Sequence, residues 1–301
     1  MQKGRVIQST GSWYLVDTGN KIVESRLPGR FRLDEKEVTN PIAVGDHVEI
    51  TINDDETGTI ETIETRENYI TRQATHGKRG EQILVSNLDQ ACVVQSIKKP
   101  RLKEGFIDRL LVTCEAYEVK PVIIINKMDL AKQGGKDFAN ELQELYSGLG
   151  YAILQTSIED DDSLEKLKDL LKDKTSAFIG PSGVGKTSLI NAIDPNYALK
   201  TGEISDFSNK GKHTTTFARL IPLSFGGYIA DTPGIREFGL VNIEPYELSL
   251  FFPEMLEPRE HCKFHNCTHN HEPKCGVADA FKNGEIAASR YQSYLNMLES
   301  L

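Results

Sequence analysis

The stretch SAFIGPSGVGKTSLINAI, residues 176–193, joins two apolar runs of different period through a glycine-rich turn. SAFIG is short and continuously apolar, as in a strand buried on both faces. GKTSLINAI places its apolar residues at helical spacing. Between them Gly180-Pro181-Ser182-Gly183-Val184-Gly185-Lys186-Thr187 satisfies GxxxxGK[ST], with Ser188 next. Glycines at these places let the backbone wrap a phosphate, with successive N–H groups turned inward. Lys186 then bridges the β- and γ-phosphates of a nucleoside triphosphate, and the Thr187 hydroxyl is a ligand for Mg2+. Strand, loop and helix in this order predict a parallel α/β domain.

The flanks agree. DQACVVQSI (89–97) and KPVIIIN (120–126) are continuous apolar runs, and IDRLLVTCEAYE (107–118) between them has helical spacing. A helix over 138–150, a strand over 151–157 and a helix over 162–172 follow, so strand and helix alternate through residues 69–240. Asn126-Lys127-Met128-Asp129 ends one of these strands. A free carboxylate at Asp129 accepts from both N1–H and the exocyclic amine of guanine, and adenine offers no such pair of donors. Asn126 is placed to hold the neighbouring loop and the purine edge, and the Lys127 stem to lie over the ring. Thr156 and Ser157, after the next strand, are candidates to present backbone N–H to guanine O6. The expected ligands are therefore GTP and GDP with Mg2+.

Asp231-Thr232-Pro233-Gly234 follows the strand GGYIA. Asp231 is expected to hold Mg2+ through water, and the Gly234 N–H to meet the γ-phosphate. NKGKHTTTF (209–217) lies between, and one of its threonines, with Thr215 favoured, is expected to close over Mg2+ when the γ-phosphate is present. Many GTPases carry a water-orienting Gln after this Asp motif; here the residue is Ile235, which cannot hydrogen-bond water. His213 is the candidate substitute. The order of these parts, with NKMD ahead of the phosphate loop, reverses the ordinary one and means a circular permutation. The segment that senses the γ-phosphate then leads straight into the C-terminal domain, so nucleotide state is expected to reposition that domain.

Cys262, Cys267, His269 and Cys275 supply three thiolates and an imidazole, the tetrahedral set of a structural Zn2+. His261, His265 and His271 lie close enough to replace His269. Residues 241–301 read as a helical zinc-binding domain, with 278–301 helical. Residues 1–68 hold five short alternating runs, which suggest a small barrel of the oligonucleotide-binding type. Lys3, Arg5, Lys21, Arg26, Arg30 and Arg32 outnumber Asp17 and Glu24 there, and Trp13, Tyr14 and Phe31 are candidate exposed aromatics, which suits RNA. The whole chain has 301 residues and a net charge of −9, so any nucleic-acid contact rests on local patches rather than bulk charge. Its 39% hydrophobic share, without a long apolar run or signal peptide, predicts a cytoplasmic protein that avoids membranes. Five cysteines, three of them crowded together, favour metal over disulfides. Nothing calls for a dimer, so a monomer is expected.

This set resembles the small ribosomal subunit biogenesis GTPases of the RsgA (YjeQ/YloQ) family. The residues carrying the likeness are NKMD at 126–129, GPSGVGKTS at 180–188, GKHTTT at 211–216, DTPG at 231–234 and the 262, 267, 269, 275 spacing. The resemblance implies a bacterial GTPase that binds the small (30S) subunit late in its assembly, with hydrolysis stimulated by the subunit. It implies contacts of the barrel and zinc module with 16S rRNA. Where many potassium-dependent GTPases carry Asn in the phosphate loop, this chain has Gly183. The alternatives are a P-loop ATPase or kinase, against which Asp129 speaks, and an RNA-binding adaptor with a purely structural nucleotide site.

Overall fold

The computed structural model describes residues 1–10, 13–29, 41–73, 81–197, 218–231 and 243–301. Seven strands come first: β1 (Gln2–Ser9), β2 (Tyr14–Asp17), β3 (Ile22–Arg26), β4 (His47–Ile52), β5 (Gly58–Ile63), β6 (Tyr69–Gln73) and β7 (Glu81–Ser86). Strand and helix then alternate through β8 (Gln90–Ser96), α1 (Glu104–Ala116), β9 (Pro121–Asn126), α2 (Gln133–Gly148), β10 (Ala152–Gln155), α3 (Asp161–Leu171), β11 (Thr175–Ile179) and α4 (Lys186–Ile193). After β12 (Arg219–Pro222) and β13 (Tyr228–Asp231) the chain is helical: α5 (Leu256–Arg259), α6 (Gly276–Lys282) and α7 (Ala288–Leu298). No helix among the described residues is long and apolar enough to cross a membrane. The chain forms two compact units.

The first unit holds Met1–Ala91, Leu164–Ile179 and Lys186–Glu237. Its strands run in the order β11-β13-β12-β1-β2-β3-β5-β4, and β1 also pairs with β4. That extra pairing closes β1 to β5 into a barrel, with β3 and β5 parallel as in oligonucleotide-binding folds. Val6, Val16, Val23, Val48, Ile50 and Ile60 fill it. Tyr14 belongs to this core, at 7% exposure, and not to the surface as expected. Arg5 is also drawn inward: Nη2 donates to the Asn87 carbonyl at 2.6 Å, Nε to that of Gly45 at 3.3 Å, and Nη1 to the Thr175 hydroxyl at the start of β11. Lys3 pairs with Glu64 at 2.8 Å, and Arg26 lies 3.8 Å over the Trp13 ring. Arg30, Phe31 and Arg32 fall outside the described residues.

The second unit holds Cys92–Ser163, Gly180–Gly185 and Phe238–Leu301. Its strands lie in the order β10-β9-β8, with β9 and β10 parallel and PVIIIN buried throughout. Helix α1 buries more than one face, since Ile107, Leu110, Leu111 and Val112 are all enclosed. Val112 is the part of it that enters the core of the C-terminal segment, with Leu248, Phe252, Met255, Tyr291 and Tyr294. The expected single helical run over 278–301 is broken. Gly284 takes φ +79, its N–H reaches the Phe281 carbonyl at 3.0 Å, and the Glu285 N–H reaches that of Ala280 at 3.0 Å. This glycine-capped end stops α6. Helix α7 then brings in Arg290, which is fully buried. Its Nη1 donates to Asp108 Oδ1 at 2.6 Å, and its Nε and Nη2 fork onto Glu254 at 2.6 and 3.1 Å. Tyr146 on α2 donates to the same Asp108 oxygen at 2.8 Å.

Candidate functional site

Asn126 is the last residue of β9 and is 2% exposed. Its amide serves two loops. Nδ2 donates to the Val184 carbonyl at 2.9 Å, and Oδ1 accepts from the Thr156 hydroxyl at 3.1 Å. Lys127 turns left-handed at φ +63, and its ammonium donates to the Lys99 carbonyl at 2.6 Å and to that of Gly183. The Met128 N–H reaches the Thr156 carbonyl at 3.1 Å. Asp129 is exposed, and its Oδ1 accepts from the Ser157 hydroxyl at 2.7 Å. A cleft of about 460 Å³ opens beside Asp129 and Ser157. The structure thus brings together Asn126, Lys127, Met128, Asp129, Thr156, Ser157 and the loop 180–185. Ser157, expected to offer its backbone N–H, also holds the Asp129 carboxylate with its side chain, a contact the sequence gives no direct sign of.

Two glycines of the phosphate loop need their freedom. Gly185 takes φ +98, and a Cβ there would run into the Asn126 amide. A Cβ at Gly180 would meet the Val94 carbonyl of β8. Pro181 is half-buried, Ser182 and Gly183 are exposed, and Val184 is buried.

In the first unit Lys186 opens α4 half-buried, with Thr187 and Ser188 exposed in the same turn. Asp231 closes β13, and its Oδ2 accepts from Nε and Nη2 of Arg219 at 3.0 and 2.8 Å. His213, Thr215 and Gly234 lie outside the described residues, as does Ile235.

The donors of Cys262, Cys267, His269 and Cys275 all lie within 4.8 Å of one another. Tetrahedral Zn2+ with bonds of about 2.3 Å to sulfur and about 2.0 Å to nitrogen sets ligand edges of roughly 3.8 Å (S···S) and 3.5 Å (S···N). Here Cys262 Sγ and Cys275 Sγ are 3.9 Å apart, and His269 Nδ1 lies 3.5 and 3.4 Å from them. The residues therefore fit zinc closely. His269 Nε2 lies 3.0 Å from the Ser249 hydroxyl, which can accept its proton when the Nδ1 lone pair is given to metal. His261, His265 and His271 are exposed and outside the set. Burial pushes the Cys267 thiol up to about 12 and His269 down to about 4, so this pocket resists charge unless a cation shares it.

Three supports of the knuckle escape the sequence pattern. The Tyr291 hydroxyl donates to the His269 carbonyl at 2.6 Å and that of Tyr294 to the Thr268 carbonyl at 2.8 Å. Glu272 accepts from Thr268 N–H and hydroxyl at 2.8 and 2.6 Å, and from the Asn270 and His271 N–H groups at 3.2 and 3.3 Å. Burial raises its pKa, yet these hydrogen bonds outweigh burial and bring it down to about 2. An isolated Glu or Tyr in sequence carries no mark of such a role.

Comparison with known proteins agrees with this arrangement. The RsgA GTPase family model matches residues 63–241, and the RsgA N-terminal domain model matches residues 3–60. A Phocaeicola vulgatus protein named small ribosomal subunit biogenesis GTPase RsgA is 47% identical, across 99% of this chain and 96% of its own. A protein of the same name from Flavobacterium johnsoniae is 45% identical, across 98% and 92%. Among solved structures, YjeQ from Thermotoga maritima matches with a TM-score of 0.83 at 37% identity, covering 100% of this chain and 98% of that one. YloQ, described as a circularly permuted GTPase, matches with a TM-score of 0.78 at 32% identity, covering 100% and 94%. The chain belongs to the RsgA GTPase family: it is a GTP hydrolase whose GTPase domain has its parts in circularly permuted order.

Proposed function

We propose that this GTPase assists assembly of the small (30S) ribosomal subunit, binds it through 16S rRNA and hydrolyses GTP faster on it. The observation that carries this reading is the match, over nearly its whole length, to relatives named for small ribosomal subunit biogenesis. Trp13 under the Arg26 guanidinium supports an RNA-facing role for the barrel, because stacked Arg and indole planes accept bases. The working division is a barrel over 1–68, the permuted GTPase domain over 69–240 and the zinc module over 241–301. The protein works in the cytoplasm as a monomer.

Guanine is read by Asp129, with Asn126, Lys127, Met128, Thr156 and Ser157 shaping its site. The loop 180–185, Lys186, Thr187 and Ser188 hold the phosphates, with Gly234 at the γ-phosphate. Thr187, Thr215 and Asp231 serve Mg2+, which when bound offsets phosphate charge. Water attacks the γ-phosphorus and the bond to the β-phosphate oxygen breaks, giving GDP and phosphate. His213 takes the water-orienting place that Ile235 cannot fill. Zn2+ held by Cys262, Cys267, His269 and Cys275 is structural.

The test is phosphate release from GTP and from ATP, each with and without purified small subunits. Turnover of GTP alone that rises steeply with subunits is expected. Slow GTP turnover that subunits leave unchanged would remove the ribosome from the reading. Lys186→Ala is expected to abolish turnover; unchanged subunit binding and unchanged biogenesis in that variant would favour the adaptor.

A further inference from the structure

Three side chains stand in a row across the first unit. The antiparallel registers set Gln8 of β1 opposite Arg219 of β12, and Arg219 opposite Asp231 of β13. Residues paired in this way project to the same face of a sheet. The Asp231 side chain is 43% exposed and that of Arg219 is 22% exposed. Two of the guanidinium bonds converge on Asp231 Oδ2, and Oδ1 accepts from no described residue. On the other side, Gln8 is 3% exposed and its Oε1 has no hydrogen-bond partner among the described residues.

We infer that Arg219 is the positioning residue for the metal duty of Asp231, anchoring its carboxylate through Oδ2 so that Oδ1 accepts from a water on Mg2+. The inference rests on the reading above that Asp231 serves Mg2+. Two converging donors restrain rotation of the carboxylate, as outer partners do for carboxylates at metal sites. Lysine has one nitrogen and cannot reproduce the fork.

The test measures retention of a fluorescent GDP against free Mg2+, in wild type, Arg219→Gln, Arg219→Lys and Asp231→Asn. Affinity for GDP in excess chelator is the control for an intact fold and base site. Removal of a partner behind a metal ligand costs about 10–100-fold in metal affinity. The half-saturating Mg2+ concentration of Arg219→Gln is therefore expected to rise by about tenfold or more, with chelator affinity unchanged and Arg219→Lys only partly restored. An unchanged half-point in Arg219→Gln, with a raised one in Asp231→Asn, would overturn the inference and leave Asp231 at the metal. A lowered half-point would also overturn it, since Arg219 would then compete with Mg2+. A flat Asp231→Asn response would remove the reading on which the inference rests.

Discussion

At Asn126 one amide joins two loops, donating to Val184 and accepting from Thr156. Truncation to Ala leaves a carbonyl and a hydroxyl unsatisfied near the nucleotide, at a cost of about 1–3 kcal/mol. Asn126→Ala should therefore weaken GDP and GTP together, by about tenfold or more, in fluorescent nucleotide titrations. Asp129→Asn should act differently, because under the proposed function it removes the acceptor for the guanine donors. Wild type should prefer GTP over ITP, which lacks the exocyclic amine, and the variant should lose that preference along with about 100-fold in GTP affinity. Equal GTP and ITP affinities in wild type would show that Asp129 does not read the amine. The NKMD and GPSGVGKTS stretches stand out in the sequence because the chemistry expected of them needs fixed types at fixed spacing. The bond from the Ser157 hydroxyl to Asp129 and the pairing of Arg219 with Asp231 do not, since each joins segments that meet only in the fold.

The zinc knuckle shows the same contrast among elements. Its ligands stand out in sequence, whereas the two tyrosines of α7 that close over it look like ordinary core residues. Strands β8 and β9 were legible as continuous apolar runs. The hairpin β6–β7 and the four-residue β12 were not, because each is too short or too polar for its period to show and is held by its neighbours in the sheet. The break at Gly284 was missed because apolar spacing continues past it. With few apolar residues of its own, the knuckle is expected to depend on the zinc its four residues fit. Cys275→Ser should abolish bound zinc, one ion per chain in wild type, and unfold residues 262–275 while leaving the amide protection of β9 intact. Loss of protection through β9 would show that the knuckle supports the whole second unit.

For the whole molecule, the C-terminal segment shares a compact unit with β9 and β10, and the buried Arg290 ties it to α1 through Asp108. Arg290→Met strands Asp108 and Glu254 as buried carboxylates and should cost about 3–5 kcal/mol. Adding Asp108→Asn and Glu254→Gln to it should recover most of that loss, read as urea midpoints. The packing also gives a route for nucleotide state to reach the C-terminal segment: amide exchange in α1 and α7 should change together between GDP and a GTP analogue. Change in α7 alone would mean the segment moves independently of α1.

Arg290 and Asp108 are 182 positions apart. During synthesis at about 5–20 residues per second, roughly 10–40 s separate the emergence of the acid from that of its cation. Helix α1 therefore waits, half-assembled and open to proteases, for nearly the last helix to be made. A message cut short before residue 290 should therefore yield a chain whose Asp108 never meets its cation, marked for clearance before it can serve.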